Sequence, residues 1–234
     1  MFLPIADSKR YNEFIYPLII VHCTMSIVHF LLVWGEKMLE LILVRHGETD
    51  SNIRGTYLGW TDIPLNEQGI KQVDHIAKVL KEEKIEGIYS SPLKRTMQTV
   101  QAINKYHQKQ ITILDGLKER NFGIWEDLIY DDIKENHKEL HDHWLQNWID
   151  FTIPEGESAG QTFDRIVKAV DEITSSYEHG KVIIVTHLGV IRNIIAYLLG
   201  MDIEGSWHFS VQNGSVTRIQ ITDGYGVLMS LNEC

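Results

Sequence analysis

KVIIVT at 181–186 and LELILV at 39–44 are short, mostly apolar runs with β-branched members, too brief for ordinary helices. Such runs are buried strands, the kind found in sheets covered by helices. The residues between them alternate in the same sense. NEQGIKQVDHIAKVLK at 66–81 places Ile70, Val73, Ala77 and Leu80 on one helical face, with Asn66 as the N-cap. GIYS at 87–90 reads as a second strand, Pro92 opens a helix to about Tyr106, and ITILD at 111–115 reads as a third strand. Residues 128–149 read as one or two polar helices carrying Trp144 and Trp148. PEGES at 154–158 caps an amphipathic helix from Gln161 to Tyr177, and a further helix runs from about Gly189 to Leu199. The tail from Trp207 alternates and holds NG and DG turn signals, so it reads as edge strands and hairpins. Strands alternating with helices predict an α/β fold, a three-layer α/β/α sandwich on a mostly parallel central sheet.

Residues 1–37 stand apart from this pattern. From Ile15 to Trp34 there is no Asp, Glu, Lys or Arg, close to the length that spans a bilayer as a helix. Lys9 and Arg10 precede the run, yet Pro17, His22, Thr24, Ser26 and His29 dilute it. Met38 sits directly before the first strand, which makes residues 38–234 one domain and residues 1–37 an upstream extension or, alternatively, a membrane anchor. The expected location is cytoplasmic in the first case and membrane-attached through residues 15–34 in the second.

The formal net charge of −10 weighs against a nucleic-acid partner, which needs a basic stripe. It leaves room for a phosphorylated small molecule, because a few Arg and His can make a positive pocket inside an acidic protein. Cys23 and Cys234 form no disulfide or zinc spacing, so a reducing compartment is the default.

Four motifs place reactive side chains at strand ends. LVRHGETDSN at 43–52 puts Arg45 and His46 at the carboxyl end of a strand, where open α/β sheets hold ligands, and Gly47 permits close backbone approach. SSPLKRTMQT at 90–99 puts Arg95 in the first turns of a helix, where Arg and backbone N–H groups suit phosphate oxygens. LKERNFGIWE at 117–126 carries Glu119 just after a strand, and VTHLGV at 185–190 ends a buried strand at His187.

Together these motifs resemble the histidine phosphatase superfamily, in its phosphoglycerate mutase-like branch, from residue 39 to the end of the chain. The resemblance implies a phosphoglycerate mutase-like fold and phosphomonoester hydrolysis through a phosphohistidine. It makes His46 the nucleophile, Glu119 the general acid and base, and Arg45, Arg95, His187 and Asn52 the groups that hold the phosphoryl oxygens. It implies no metal and no cofactor, since Arg and His supply the charge. Many members carry an Arg four residues after the Asn; here that position is Thr56, and Arg54 is the nearby candidate for its role.

Within the superfamily, SNIRGTYLGWTDIPLNEQG at 51–69, LKERNFGIWED at 117–127 and LLGMDIEGSWHFSVQNGS at 198–215 are most similar to α-ribazole phosphatases of cobalamin biosynthesis. A helical cap around 127–150 has two Lys and no Arg, which favours a single phosphate on an organic body stacked on Trp144, Trp148 or Phe122. A broad-specificity or sugar-phosphate phosphatase, a mutase and a membrane-attached phosphoprotein phosphatase are the alternatives, and a homodimer is left open. His137, His141 and His143 read as solvated surface rather than a metal site, Trp125 and Trp207 as core, and His208 as structural or at a pocket rim.

Overall fold

The computed structural model describes residues 38–234, which form one compact unit. The apolar run at 15–34 and Cys23 lie outside the described residues. Among the described residues no helix is long and apolar enough to cross a membrane.

In chain order the elements are β1 (Met38–Arg45), α1 (Asp50–Arg54), α2 (Glu67–Leu80), β2 (Gly87–Ser90), α3 (Lys94–His107), β3 (Ile111–Ile113), α4 (Tyr130–Asn136), α5 (Lys138–Gln146), α6 (Ala159–Ser175), β4 (Gly180–Thr186), α7 (Leu188–Leu198), β5 (Val216–Thr222) and β6 (Tyr225–Glu233). The strands make one sheet in the order β3-β2-β4-β1-β5-β6. The first four pair in parallel, and β5 and β6 join antiparallel at one side. This is the three-layer, mostly parallel architecture that the alternation predicts.

The central strands are apolar throughout because both faces are covered, and the two-residue period sorts their side chains. Leu41, Leu43, Val182 and Ile184 pack against α6 and α7. Ile42, Val44, Ile183 and Val185 pack against α2 and α3 on the other face. A third, smaller cluster around Trp125, Ile133 and Ile153 gathers Tyr57, Phe122 and Trp144 beneath α4 and α5.

Several expectations need correction. Ile70 is 47% exposed; the buried stripe of α2 runs through Gly69, Val73, Ile76, Ala77 and Leu80. The stripe begins at Gly69 because α2 presses on the turn after β1, where a Cβ on Gly69 would lie 2.2 Å from the Glu48 carbonyl oxygen. Asn66 caps α2 as expected, its side chain accepting from the Gly69 N–H at 2.8 Å. Pro92 precedes α3 rather than opening it; Leu93 is the N-cap, and Asp62 accepts the Lys94 N–H at 2.6 Å instead. The third strand stops at Ile113, before a 3-10 turn at Asp115–Leu117.

In the tail, only Asp223-Gly224 turns a hairpin, with both residues at positive φ. Asn213-Gly214 instead packs against the turn after β1. Trp207 is 61% exposed, not core, and His208 is exposed. His141 is buried and meets the Tyr130 hydroxyl at 3.0 Å, while no group of three or more potential metal ligands occurs among the described residues.

The close approach of α2 to the turn after β1 generates a prediction opposed to helix propensity. Ala is about 1 kcal/mol better than Gly in a helix interior. Gly69→Ala should nevertheless destabilise the fold by about 1–3 kcal/mol, the usual cost of overpacking. Urea denaturation measures this; a rise in stability would contradict the packing described.

Candidate active site

The parallel register of β1 and β4 sets Arg45 opposite Thr186, so the residues that follow leave the sheet together. The rings of His46 and His187 lie with centroids 5.2 Å apart, edge to face. The turn at His46 is fixed by its own backbone. Its N–H donates to the Thr186 carbonyl at 3.0 Å, and its carbonyl accepts from the Gly214 N–H at 3.0 Å and Asn213 Nδ2 at 3.3 Å. Its Nδ1 lies 2.7 Å from the Gly47 carbonyl oxygen. A carbonyl only accepts, so Nδ1 carries the proton and the neutral ring keeps its Nε2 lone pair.

Arg95 is fully buried at the start of α3. Its Nε donates to His187 Nδ1 at 3.3 Å, Nη1 to the Thr61 carbonyl at 2.9 Å and Nη2 to the Gly59 carbonyl at 2.6 Å. That arrangement makes His187 Nδ1 an acceptor and leaves its Nε2 as the donor, 2.9 Å from Ser91 Oγ. Arg45 donates through Nη1 to the Val211 carbonyl at 2.6 Å, while its buried Nε has no partner. Unpartnered buried donors are costly, and an anion beside them relieves that cost.

Glu119 closes the cluster. Its carboxylate accepts from the N–H groups of Arg120 and Gly189, both at 2.9 Å. Its carbonyl accepts from Trp60 Nε1 at 2.8 Å and Arg165 Nη2 at 3.2 Å. Gly189 has no room for a side chain, since a Cβ there would lie 2.4 Å from Glu119 Oε1.

Arg45, His46, Arg95, Glu119 and His187 therefore converge. Asn52 is linked to them less directly. Its Oδ1 accepts from Thr49 and from Asn213 Nδ2, which also holds the His46 carbonyl. Arg54 does not join the cluster through its described contacts; its Nη2 grips both carboxylate oxygens of Asp127, at 2.6 and 2.7 Å.

Beyond Glu119 opens a cavity lined by Phe122, Trp144, Trp148, Trp207, Arg120 and Arg192, among others. The segment 127–150, which favours a single phosphate because it has no Arg, is not the whole lining: Arg120 and Arg192 reach the cavity from outside it. Arg192 was also missed as a site residue. The available signal was a lone cation inside the apolar helix GVIRNIIAYLL, where burial of charge needs a reason. Ser91 and Asn213 left no comparable signal, being small polar groups in loops.

Burial, then Arg95 and Arg45, hold His46 well below the ordinary imidazole value of 6.5. Burial, then Arg95, His46 and Arg45, do the same to His187. Burial also lowers Arg45 and Arg95 to about 10, with Glu119 opposing the shift. Both rings are thus neutral at pH 7 in a positive surround. In the unfolded chain they would take up protons near 6.5, so stability is lost as pH falls through that value, by about 1.4 kcal/mol per pH unit per ring. NMR titration should find both rings still neutral at pH 6.5, and inorganic phosphate should raise both midpoints. A midpoint at or above 6.5 without the anion would contradict this electrostatic reading.

The family model of the histidine phosphatase superfamily (branch 1) matches residues 41–234. The adenosylcobalamin/α-ribazole phosphatase of Escherichia coli (strain K12) is 31% identical over 195 residues, covering 83% of this chain and 96% of that protein. Phosphoserine phosphatase 1 of Hydrogenobacter thermophilus is 31% identical over 195 residues, covering 83% and 92%. The crystal structure of the α-ribazole phosphatase from Shigella flexneri matches with a TM-score of 0.78 at 30% identity, covering 83% of this chain and 96% of that one. The paired histidines at the ends of β1 and β4 thus sit in a phosphoglycerate mutase-like fold, and the chain belongs to the histidine phosphatase superfamily as a phosphatase.

Proposed function

We propose that the protein hydrolyses small phosphate monoesters through a phosphohistidine on His46, with α-ribazole 5′-phosphate as its substrate. Neutral Nε2 of His46 attacks phosphorus in line while the Nδ1–H bond to Gly47 holds the ring. Arg45, Arg95, His187 and Asn52 receive the non-bridging oxygens. His187 exchanges its Nε2–H bond to Ser91 Oγ for one to the phosphoryl group, and Arg45 contributes its unpartnered Nε–H. Glu119 takes up a proton as the substrate binds and gives it to the leaving alkoxide as the P–O bond breaks. It then takes a proton from the water that attacks the phosphohistidine, which restores His46 and releases phosphate. The cluster needs no metal for this sequence, because its own guanidinium groups offset the charge of the transferring group. Incubation with substrate and acid-sensitive quenching should label His46, and His46→Ala should lose label and turnover together. Turnover in that variant would refute the mechanism.

The observation that carries the substrate reading is the aromatic cavity joined to the cluster at Glu119. Trp148 and Trp207 meet edge to face at 5.8 Å, and Phe122 lies on the same lining. Such a surface suits a planar heteroaromatic body. α-Ribazole phosphatases are among the relatives, which adds support. A second reading, phosphoserine or a similar carboxylate-bearing monoester, is favoured by Arg192. Its Nε donates to the Phe209 carbonyl at 2.6 Å, and it has no carboxylate partner in ion-pair contact among the described residues.

A hydrolysis panel of α-ribazole 5′-phosphate, phosphoserine, 3-phosphoglycerate and sugar phosphates, run with EDTA, separates the readings. α-Ribazole phosphate should give the highest kcat/KM. Trp148→Ala should lower that value by roughly five- to hundredfold, as for loss of one stacking contact, with little change for p-nitrophenyl phosphate. A preference for phosphoserine that Arg192→Gln abolishes would replace the first reading with the second.

A further inference from the structure

One carboxylate outside the reacting cluster organises much of its frame. Glu126 follows the 3-10 turn Gly123–Trp125 and accepts four backbone N–H groups. Oε1 takes those of Trp60 at 2.8 Å and Phe122 at 2.9 Å, and Oε2 those of Thr61 at 2.9 Å and Gly59 at 3.2 Å. Residues 59–61 lie in a stretch without helix or strand, so no regular hydrogen-bond ladder holds them. Without an acceptor, three successive amides would need other partners.

The same three residues hold the chemistry from their other side. The carbonyls of Gly59 and Thr61 accept from Nη2 and Nη1 of Arg95, and the Trp60 indole N–H donates to the Glu119 carbonyl. A guanidinium has five N–H donors. Nε is committed to His187, and each terminal nitrogen gives one N–H to the loop. One N–H on each terminal nitrogen is left, a two-pronged donor whose orientation the loop decides. Gly59 cannot be exchanged for a larger residue, because a Cβ would lie 2.1 Å from the Arg120 carbonyl and 2.2 Å from Glu126 Oε1. The Gly59–Trp60 peptide group thus relays the Glu126 charge toward Arg95, its N–H on the carboxylate and its carbonyl on the guanidinium.

We propose that Glu126 is a positioning residue that aims the free N–H pair of Arg95 at the phosphoryl group through the 59–61 loop. This rests on the phosphatase reading for its consequence in turnover, but not for its consequence in anion binding. Glu126→Gln keeps the shape and loses the function, since an amide has one accepting oxygen and sets N–H against N–H on its other side. Adjacent Asp127 provides the control. It ties down Ser51, Arg54 and Thr56 of the same segment without touching 59–61.

The test measures binding of inorganic phosphate by calorimetry and kcat/KM for p-nitrophenyl phosphate. Glu126→Gln should weaken phosphate binding and lower kcat/KM, each by roughly ten- to hundredfold, as when a supporting partner of a site residue is removed. Glu126→Asp, which keeps the charge, should recover part of both. Asp127→Asn should change either by less than about threefold, as for an exposed ion pair. In an Arg95→Ala background, Glu126→Gln should add little to the loss in kcat/KM, because residues acting as one unit are not additive. Normal phosphate binding in Glu126→Gln, equal losses in Asp127→Asn, or losses that multiply with Arg95→Ala would each overturn the proposal. If Glu126→Gln does not fold, the Glu126→Asp and Arg95→Ala pair decides by the same criterion. Turnover that survives His46→Ala would overturn the phosphohistidine reading and leave the phosphate-binding result standing.

Discussion

β1 and β4 lie side by side at the centre of the sheet, in parallel and in step, and the site depends on that register. Arg45 faces Thr186 across the pair, so His46 and His187 emerge as neighbours. A slip of one residue would turn every side chain of one strand to the opposite layer, and both layers are packed. The apolar cores of the two faces therefore fix the distance between the two imidazoles. Core packing and site geometry are here one constraint viewed from two ends.

Holding two guanidinium groups and two rings this close, out of water, is electrostatically unfavourable. The fold reduces the cost by keeping the rings neutral and supplying carbonyl oxygens to the arginines. Val211, Gly59 and Thr61 serve in that role, and Glu119 brings the nearest negative charge. The compensation is incomplete at Arg45 Nε, a buried donor without an acceptor. A site already satisfied by its own protein groups would have less to gain from a phosphoryl group.

How much of this could be read in the sequence depends on the kind of interaction. The central strands were legible because burial on both faces demands long apolar runs, and the site residues because they interrupt those runs at their ends. Arg45, His46 and His187 share that signature, whereas Arg95 stood out in the first turns of a helix and Glu119 through its motif. Ile70 was misplaced because a periodic face is defined only to within a residue, and the contact of Gly69 with the Glu48 backbone shifted it. Trp207 was misassigned because indoles serve cavity rims as well as cores. Asn213-Gly214 carries a hairpin signal but spends its turn on holding the His46 carbonyl. Glu126 was unreadable for a deeper reason, since a carboxylate that collects loop amides leaves no period and no spacing.

The position of β1 also has a kinetic consequence. Its two neighbours, β4 and β5, come late in the chain, and pairing it with β4 closes a loop of roughly 140 residues. Such long-range closure is slow compared with local hairpins and helices. During vectorial synthesis the first strand must wait, apolar on both faces, until most of the domain has left the ribosome. Even then the turn at His46 is incomplete, because Asn213, Gly214 and Ser215 supply its last hydrogen bonds. The domain thus passes through its aggregation-prone stage before any of its activity exists, and the shielding of one six-residue run sets the length of that stage.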